Sequence, residues 1–299
     1  MLTPLREAGV VLVINLIENS KVLVIDCQTS GVAGDMILGA LIDLGADIDK
    51  IMYAIESLKK PAYGYKGLKV QVKQVMRGEF RSTNIDVTSE TADRKLGSEL
   101  IDIVEDATNK LDLSAKSKKF AANTIRTLVH TEEKLHKTEF YDGVLDEVSM
   151  VDTAAEIIGS AVALDDLSLF DTKIYSTPIA VGGGTFKISH GIISSPAPAT
   201  LAILQAKHFP FHGGPIEAEL ATPTGVSIIV NLVDEVYRFY PPIVPLKVGY
   251  GAGTKDFAEM PNVLRLTLGQ LMDNIPIKDV SQVLEAGIAN KAEALMIHT

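Results

Sequence analysis

The chain has 299 residues, 46% hydrophobic and 22% charged, with a formal net charge of −10 and one cysteine, Cys27. That length supports a large core and two lobes, and the negative charge excludes a broad nucleic-acid surface, which needs a basic face. A single cysteine excludes a disulfide framework and a four-thiolate zinc site, and fits a reducing, cytoplasmic compartment.

Ala8–Ile17 is apolar but short, contains Asn15, and has no good cleavage site before Lys21. It is too short to span a membrane and reads as an extra strand or extended start, so residues 1–20 form an additional amino-terminal segment and no membrane partner is expected. Lys21–Ile25 is a continuous apolar run, the pattern of a buried strand. Gly31 and Gly34 punctuate the loop after it. Met36–Leu44 then predicts a buried helix stopped by Gly45, and a second helix covers Ile48–Leu58 before Pro61. Lys66–Val75 and Phe80–Val87 alternate as two strands around a Met76–Glu79 turn.

The following region is helical. Ser114 is placed as the N-cap of a long helix whose apolar stripe runs Phe120, Ala121, Thr124, Ile125, Leu128, Leu135. Lys137–Gly143 is a polar break, and Val151–Leu167 is apolar on most faces, as a helix sandwiched in a core would be. After Asp171 short β-like runs (Thr172–Ala180, Leu246–Gly249, Val263–Leu268) alternate with Gly/Pro loops. Two helices intervene, Ala197–Gln205 and Gly225–Val236, entered through Pro196, Pro198 and Pro223. The fold class is mixed α/β (α+β). A helix-rich first lobe with a small sheet covers 21–174. A second lobe of short strands and Gly/Pro-rich loops covers 175–275. The tail, 276–299, begins a strand-like run at Val280–Leu284.

Four glycine-containing motifs carry the candidate chemistry: Asp26–Met36, Gly182–Gly191, Glu219–Gly225 and Gly249–Asp256. Backbone freedom combined with hard oxygen donors suits an anion or a metal–nucleotide. In the first, the helix start with Ser30, Gly31 and Gly34 can hold a phosphate. Asp26 and Asp35 can hold Mg²⁺ or Mn²⁺ or act as acid and base; the same loop also reads as a tight βα turn with Asp35 capping its helix. It lacks the Gly-Lys-Ser/Thr of a Walker loop. Cys27 reads either as a nucleophile or soft ligand or, more commonly for a lone cysteine beside a strand, as a small buried apolar residue. Asp146, Glu147 and Asp152 cluster at the mouth of the apolar helix, as capping acids or as metal ligands.

Gly183 and Gly184, followed by His190, can wrap an anion, with His190 as acid/base or ligand; a strained hairpin is the other reading. His130 and His136 fall on a charged helix face and are expected to be solvated, while His208 and His212 fit either role. Thr222, Thr224 and Gly225 open a helix and make a second anion-ready end, or a plain cap. Gly251, Gly253, Thr254 and Lys255 allow close backbone approach, with Lys255 neutralising a phosphate and Asp256 beside it.

Taken in order, Asp26–Met36, Val181–Thr200, Glu219–Gly225 and Gly249–Arg265 resemble the nickel-insertion proteins of the lactate racemase cofactor pathway, along 21–290. The resemblance, not composition, implies nickel. It implies Ni²⁺ insertion into pyridinium-3,5-bisthiocarboxylic acid mononucleotide, a lyase-class reaction that uses CTP and a divalent cation, Mg²⁺ or Mn²⁺. Soft sulfur ligands match Ni²⁺ chemically. It also implies a site walled by Asp26, Ser30, Gly31, Gly34 and Asp35 on one side and His190, Thr222, Thr224, Lys255 and Asp256 on the other.

The sequence departs from that family twice. A His-x-His-Glu element is replaced by Val144-Leu-Asp146-Glu147, which loses both histidines. The family's further carboxyl-terminal, CTP-associated domain is represented only by Val283–Ala286. The expected partners are therefore a nucleotide substrate, a separate chain carrying that domain, and, compatibly, further copies of this chain; CTP binding by this chain alone is expected to be weak. The alternatives are a non-catalytic metal- or nucleotide-binding paralogue and a metal-dependent phosphotransferase or hydrolase using Asp26 and Asp35.

Overall fold

The computed structural model describes residues 21–92, 95–136, 151–188 and 191–272. Its centre is a seven-stranded mixed sheet. Strands β1 (Lys21–Asp26), β2 (Lys69–Arg77) and β3 (Phe80–Thr88) come from the first half of the chain, and β4 (Lys173–Ser176) follows. β5 (Thr185–Ile188) and β6 (Gly191–Ser194) form a separate hairpin, and β7 (Glu235–Val236), β8 (Ile243–Ala252) and β9 (Val263–Leu271) complete the sheet. Its order is β7-β4-β1-β9-β8-β3-β2. β1 is parallel to β4 and antiparallel to β9, with Asp26 opposite Arg265. The segments expected as two lobes, 21–174 and 175–275, thus contribute to one sheet, and β1 lies between β4, which straddles the expected boundary, and β9 of the later segment.

Alternation in β1 divides its side chains between two faces. Leu23 and Ile25 enter the main core, while Val22 and Val24 join Tyr175, Tyr240, Ile243 and Leu271 in a smaller cluster. The main core lies against helices α1 (Gly34–Leu44), α2 (Ile48–Glu56), α3 (Gly97–Asn109), α4 (Ala115–Leu135), α5 (Val151–Asp166), α6 (Pro198–Ala206) and α7 (Pro223–Leu232). α5 is the apolar helix anticipated from the sequence: from Val151 to Leu164 only Asp152 and Glu156 are not fully buried residues. Ser114 caps α4 by accepting from Ser117 N–H at 3.1 Å.

Several boundaries differ from expectation. The final helix stops at Leu232 instead of Val236, because Val233 is extended and Glu235–Val236 pairs with β4. The run Thr172–Ala180 is broken after Ser176, and Ile179–Ala180 pairs with Phe211–His212 instead. β8 is longer than Leu246–Gly249 and carries an irregularity between Pro245 and Lys247. The strand-like run Val280–Leu284 and residues 1–20 lie outside the described residues.

β8 can lie under α1 because it carries glycine at the crossing. A Cβ on Gly251 would sit 1.8 Å from the Met36 carbonyl oxygen and 2.5 Å from Ala40 N, so any side chain would push the helix off the sheet. This close crossing brings the start of α1 and the end of β8 to one place, and the site forms there.

Candidate functional site

A cleft of about 730 Å³ opens where α1, α5 and α7 begin and β8 ends. Gly34 and Asp35 line it from the first motif, Thr222 and Thr224 from the third, and Gly253, Thr254 and Lys255 from the fourth. The wall also contains Asp86, Glu132, His136, Asp152, Glu156, Glu219 and Asn262. Three of the four motifs therefore meet in one cavity, with Asp35 and Lys255 both on its wall.

Asp35 organises one side. Its Oδ1 accepts from Met36 N–H at 2.7 Å, and its Oδ2 accepts from Thr254 N–H at 3.1 Å and the Thr254 hydroxyl at 3.0 Å. Burial raises its pKa, and those hydrogen bonds oppose the rise. Glu156 lies beneath it on α5. Asp35 N–H donates to its carboxylate, and burial together with the charges of Asp35 and Asp152 holds Glu156 well above the usual carboxylate range. Gly34 is glycine for this reason: a Cβ there would lie 2.0 Å from Glu156 Oε2. The anion at the start of α1 is thus the protein's own carboxylate, seated where the helix dipole favours negative charge. Asp152 accepts from Thr153 N–H at 2.8 Å and is also raised by burial.

Lys255, next in sequence to Thr254, brings a cation to the lining. Its Nζ is 3.6 Å from Glu219 Oε2, and Asn262 Nδ2 donates to its carbonyl at 2.9 Å. Thr222 caps α7 by accepting from Gly225 N–H at 3.2 Å. Thr224 is buried and lines the cleft.

Other expected site residues are placed elsewhere. Asp26 pairs with Arg265 Nη2 and lies 3.4 Å from the Tyr240 hydroxyl. The Ser30 hydroxyl donates to the Pro261 carbonyl at 2.9 Å. Gly31 packs on the Leu220 carbonyl, Gly225 on Val32–Ala33, and Gly251 on α1. Gly183 N–H donates to Ala218 and the Gly184 carbonyl accepts from Ser195, so this glycine run joins neighbouring strands and is not among the residues lining the cleft. Asp256 lies 3.9 Å from Arg77. His190, Asp146 and Glu147, together with Val144, fall outside the described residues.

Cys27 is fully buried; its amide donates to Thr177 Oγ1, Ser176 Oγ lies 3.8 Å from its sulfur, and burial pushes the thiol up to about 12. That is the buried apolar reading, not the reactive one. The His136 side chain is partly solvent-exposed, as expected, and also lines the cleft, 3.3 Å from Glu132. Leu135, the last residue of the expected buried stripe, is 42% exposed beside it.

Sequence reasoning missed Glu156, Glu132, Asp86 and Asn262, and gave Glu219 no role beyond opening its motif. Glu156 left one readable signal, an acid in the middle of an otherwise apolar helix. The others required knowing which elements meet. The buried acids suit proton transfer and attraction of a cation. Among the described residues, no group of three or more His, Cys, Asp or Glu side chains is disposed to hold a metal ion. No helix among the described residues is long and apolar enough to cross a membrane.

Comparison with known proteins gives a consistent picture. A family described as nickel insertion protein matches residues 23–295. A relative from Methanothermobacter thermautotrophicus is 37% identical over 248 residues, covering 83% of this chain and 59% of its own length. One from Dictyoglomus thermophilum is 37% identical over 268 residues, 90% of this chain and 65% of its own. One from Rhodopirellula baltica is 38% identical over 258 residues, 85% and 61%. All three are named, provisionally, as nickel insertion proteins. The chain spans about three-fifths of the length of these relatives. No solved structure matches it. With its match running from the first described strand to beyond the last, the chain belongs to the nickel insertion protein family.

Proposed function

We propose that this chain takes part in inserting Ni²⁺ into pyridinium-3,5-bisthiocarboxylic acid mononucleotide, as an enzyme or an enzyme subunit. The observation that carries the reading is the convergence of Asp35, Thr222, Thr224, Thr254 and Lys255 on one cleft in a chain of the nickel insertion family. Nickel is the cargo of this reaction. The substrate brings two sulfur donors suited to it, and the third bond, from nickel to a ring carbon, releases the proton that the carbon carried.

The cleft supplies groups for that proton. Glu156, Asp35 and Asp152 are carboxylates whose burial raises their proton affinity, which brings a carboxylate closer to the neutral range where a general base works best. The acidic wall attracts a dication, and the buried setting strengthens that attraction. CTP, a divalent cation, a further domain or chain, and a cytoplasmic setting belong to this proposal as co-reactants and context.

The test is direct. The purified chain is incubated with the bisthiocarboxylated mononucleotide, Ni²⁺, Mg²⁺ and CTP, with and without the carboxyl-terminal part of a longer relative. Mass spectrometry then looks for a nucleotide product with the nickel isotope pattern. Product in either arm supports the reading, and none in both arms, with a longer relative active in parallel, overturns it.

A further inference from the structure

The start of α7 is a further feature of the cleft. That helix is ten residues long. Pro223 has no N–H, Gly225 N–H donates to Thr222 Oγ1, and Val226 N–H donates to the Thr222 carbonyl. Among the described residues the Thr224 N–H and the Thr224 hydroxyl have no hydrogen-bond partner. Thr224 is only 8% exposed and lines the cleft. Both donors are therefore open to the cleft, where a first-turn N–H and a hydroxyl can turn to an anion.

Lys255 stands beside this helix start. It is 3.6 Å from Glu219, which lies three residues before the cap Thr222. It is the only lysine or arginine among the described residues that line the cleft. Its backbone is fixed on both sides, by Asn262 at its carbonyl and by the Thr254–Asp35 bonds before it. The lining also carries Asp35, Asp86, Asp152 and Glu156, which repel an anion.

We propose that the start of α7, with Thr224 and Lys255, is a phosphate-monoester site. Thr224 donates through its N–H and hydroxyl, and Lys255 turns from Glu219 to the phosphate. Glu219 holds the lysine in place until the phosphate arrives. Taken as the phosphate of the pyridinium mononucleotide, this rests on the nickel-insertion reading. It also orients that substrate, with the phosphate pinned at α7 and the ring turned towards the carboxylates.

Calorimetry on the full chain, in phosphate-free buffer, compares nicotinic acid mononucleotide with its dephosphorylated nucleoside. Inorganic phosphate and CTP form two further arms. The wild type is expected to prefer the mononucleotide by at least tenfold. Lys255→Met should reduce that preference about tenfold, and Thr224→Val severalfold, with thermal midpoints confirming that each variant is folded. Glu219→Gln should tighten the mononucleotide, because the lysine is released. The Lys255 side chain is largely exposed, so that variant decides the matter where the threonine variant does not fold.

Equal wild-type affinity for nucleotide and nucleoside overturns the proposal, as does a preference that survives Lys255→Met. CTP binding tighter than the mononucleotide at the same residues overturns the monoester assignment. These readouts do not depend on nickel. A phosphate preference without nickel insertion leaves the site standing and removes the reaction assigned above; insertion without a phosphate preference does the reverse.

Discussion

Asp35 and Thr254, 219 positions apart, are joined twice: the Thr254 amide and hydroxyl both donate to Asp35 Oδ2, at 3.1 and 3.0 Å. This pair ties the start of α1 to the loop after β8, and it fixes the peptide that carries Lys255. The two motifs that define the cleft are therefore mechanically coupled, whatever the cleft binds.

Asp35→Ala should destabilise the protein by about 1–2 kcal/mol, because the part-buried Met36 amide and the exposed Thr254 amide and hydroxyl lose their acceptor. Thr254→Val keeps the amide bond and removes only the hydroxyl, so its loss should be about 1 kcal/mol. Urea unfolding of both variants measures the difference. Equal losses would show that the amide bonds contribute little.

Gly34→Ala should cost about 1–3 kcal/mol by overpacking, since the new Cβ meets Glu156 Oε2 at 2.0 Å. The same substitution in a Glu156→Ala background should cost clearly less, because the obstructing carboxylate is gone. A double-mutant cycle reads this coupling. Additive losses would mean that the clash is with something other than Glu156.

The pH dependence of stability follows from Glu156. Its folded pKa is raised by burial and by the charges of Asp35 and Asp152. Folded protein therefore holds this proton more tightly than unfolded chain does. The contribution is present in acid and is lost as pH rises from the ordinary carboxylate range, about pH 4, through the raised folded value. Asp35 and Asp152 act in the same direction. Glu156→Gln still accepts from Asp35 N–H but carries no charge. Its unfolding midpoint should exceed that of the wild type by an amount that grows from pH 5 to pH 8. Parallel curves would remove Glu156 as the source.

Arg265→Ala should destabilise by about 1–3 kcal/mol, because Asp26 keeps a charge without its main partner. The Asp26 side chain is only 8% exposed. Arg265→Ala with Asp26→Asn should recover part of the loss, since the uncompensated charge is removed. Thermal unfolding of the single and double variants checks this. No recovery would assign the loss to packing of the arginine stem.

Nickel affinity tests the segment that departs from the family. Val144→His with Asp146→His restores two nitrogen donors, which Ni²⁺ prefers over a carboxylate. Nickel binding, followed by calorimetry, should tighten by more than about tenfold, roughly 1.4 kcal/mol. Unchanged affinity would place residues 144–147 outside the metal path.

Local pattern was enough for much of this protein. Alternating or continuous apolar runs located β1, β2, β3 and β9, and helical spacing located α1, α2, α4 and α5. Ser114 and Thr222 marked their helix starts because a side-chain oxygen that satisfies a first-turn amide is a local interaction. The order of four short motifs carried the family. What those motifs touch was decided by tertiary structure, because strand order is not a local property. β1 is inserted between β4 and β9, so Asp26 meets Arg265, 239 positions away, and leaves the cleft to Asp35. Glycines that suited ligand contact on sequence grounds serve close packing instead, as at Gly34 and Gly251, where a side chain would strike Glu156 or α1. Glu156 became a site residue only because α5 runs beneath the start of α1, and burial between them changes the proton affinity of an acid that the sequence shows merely as a break in an apolar run.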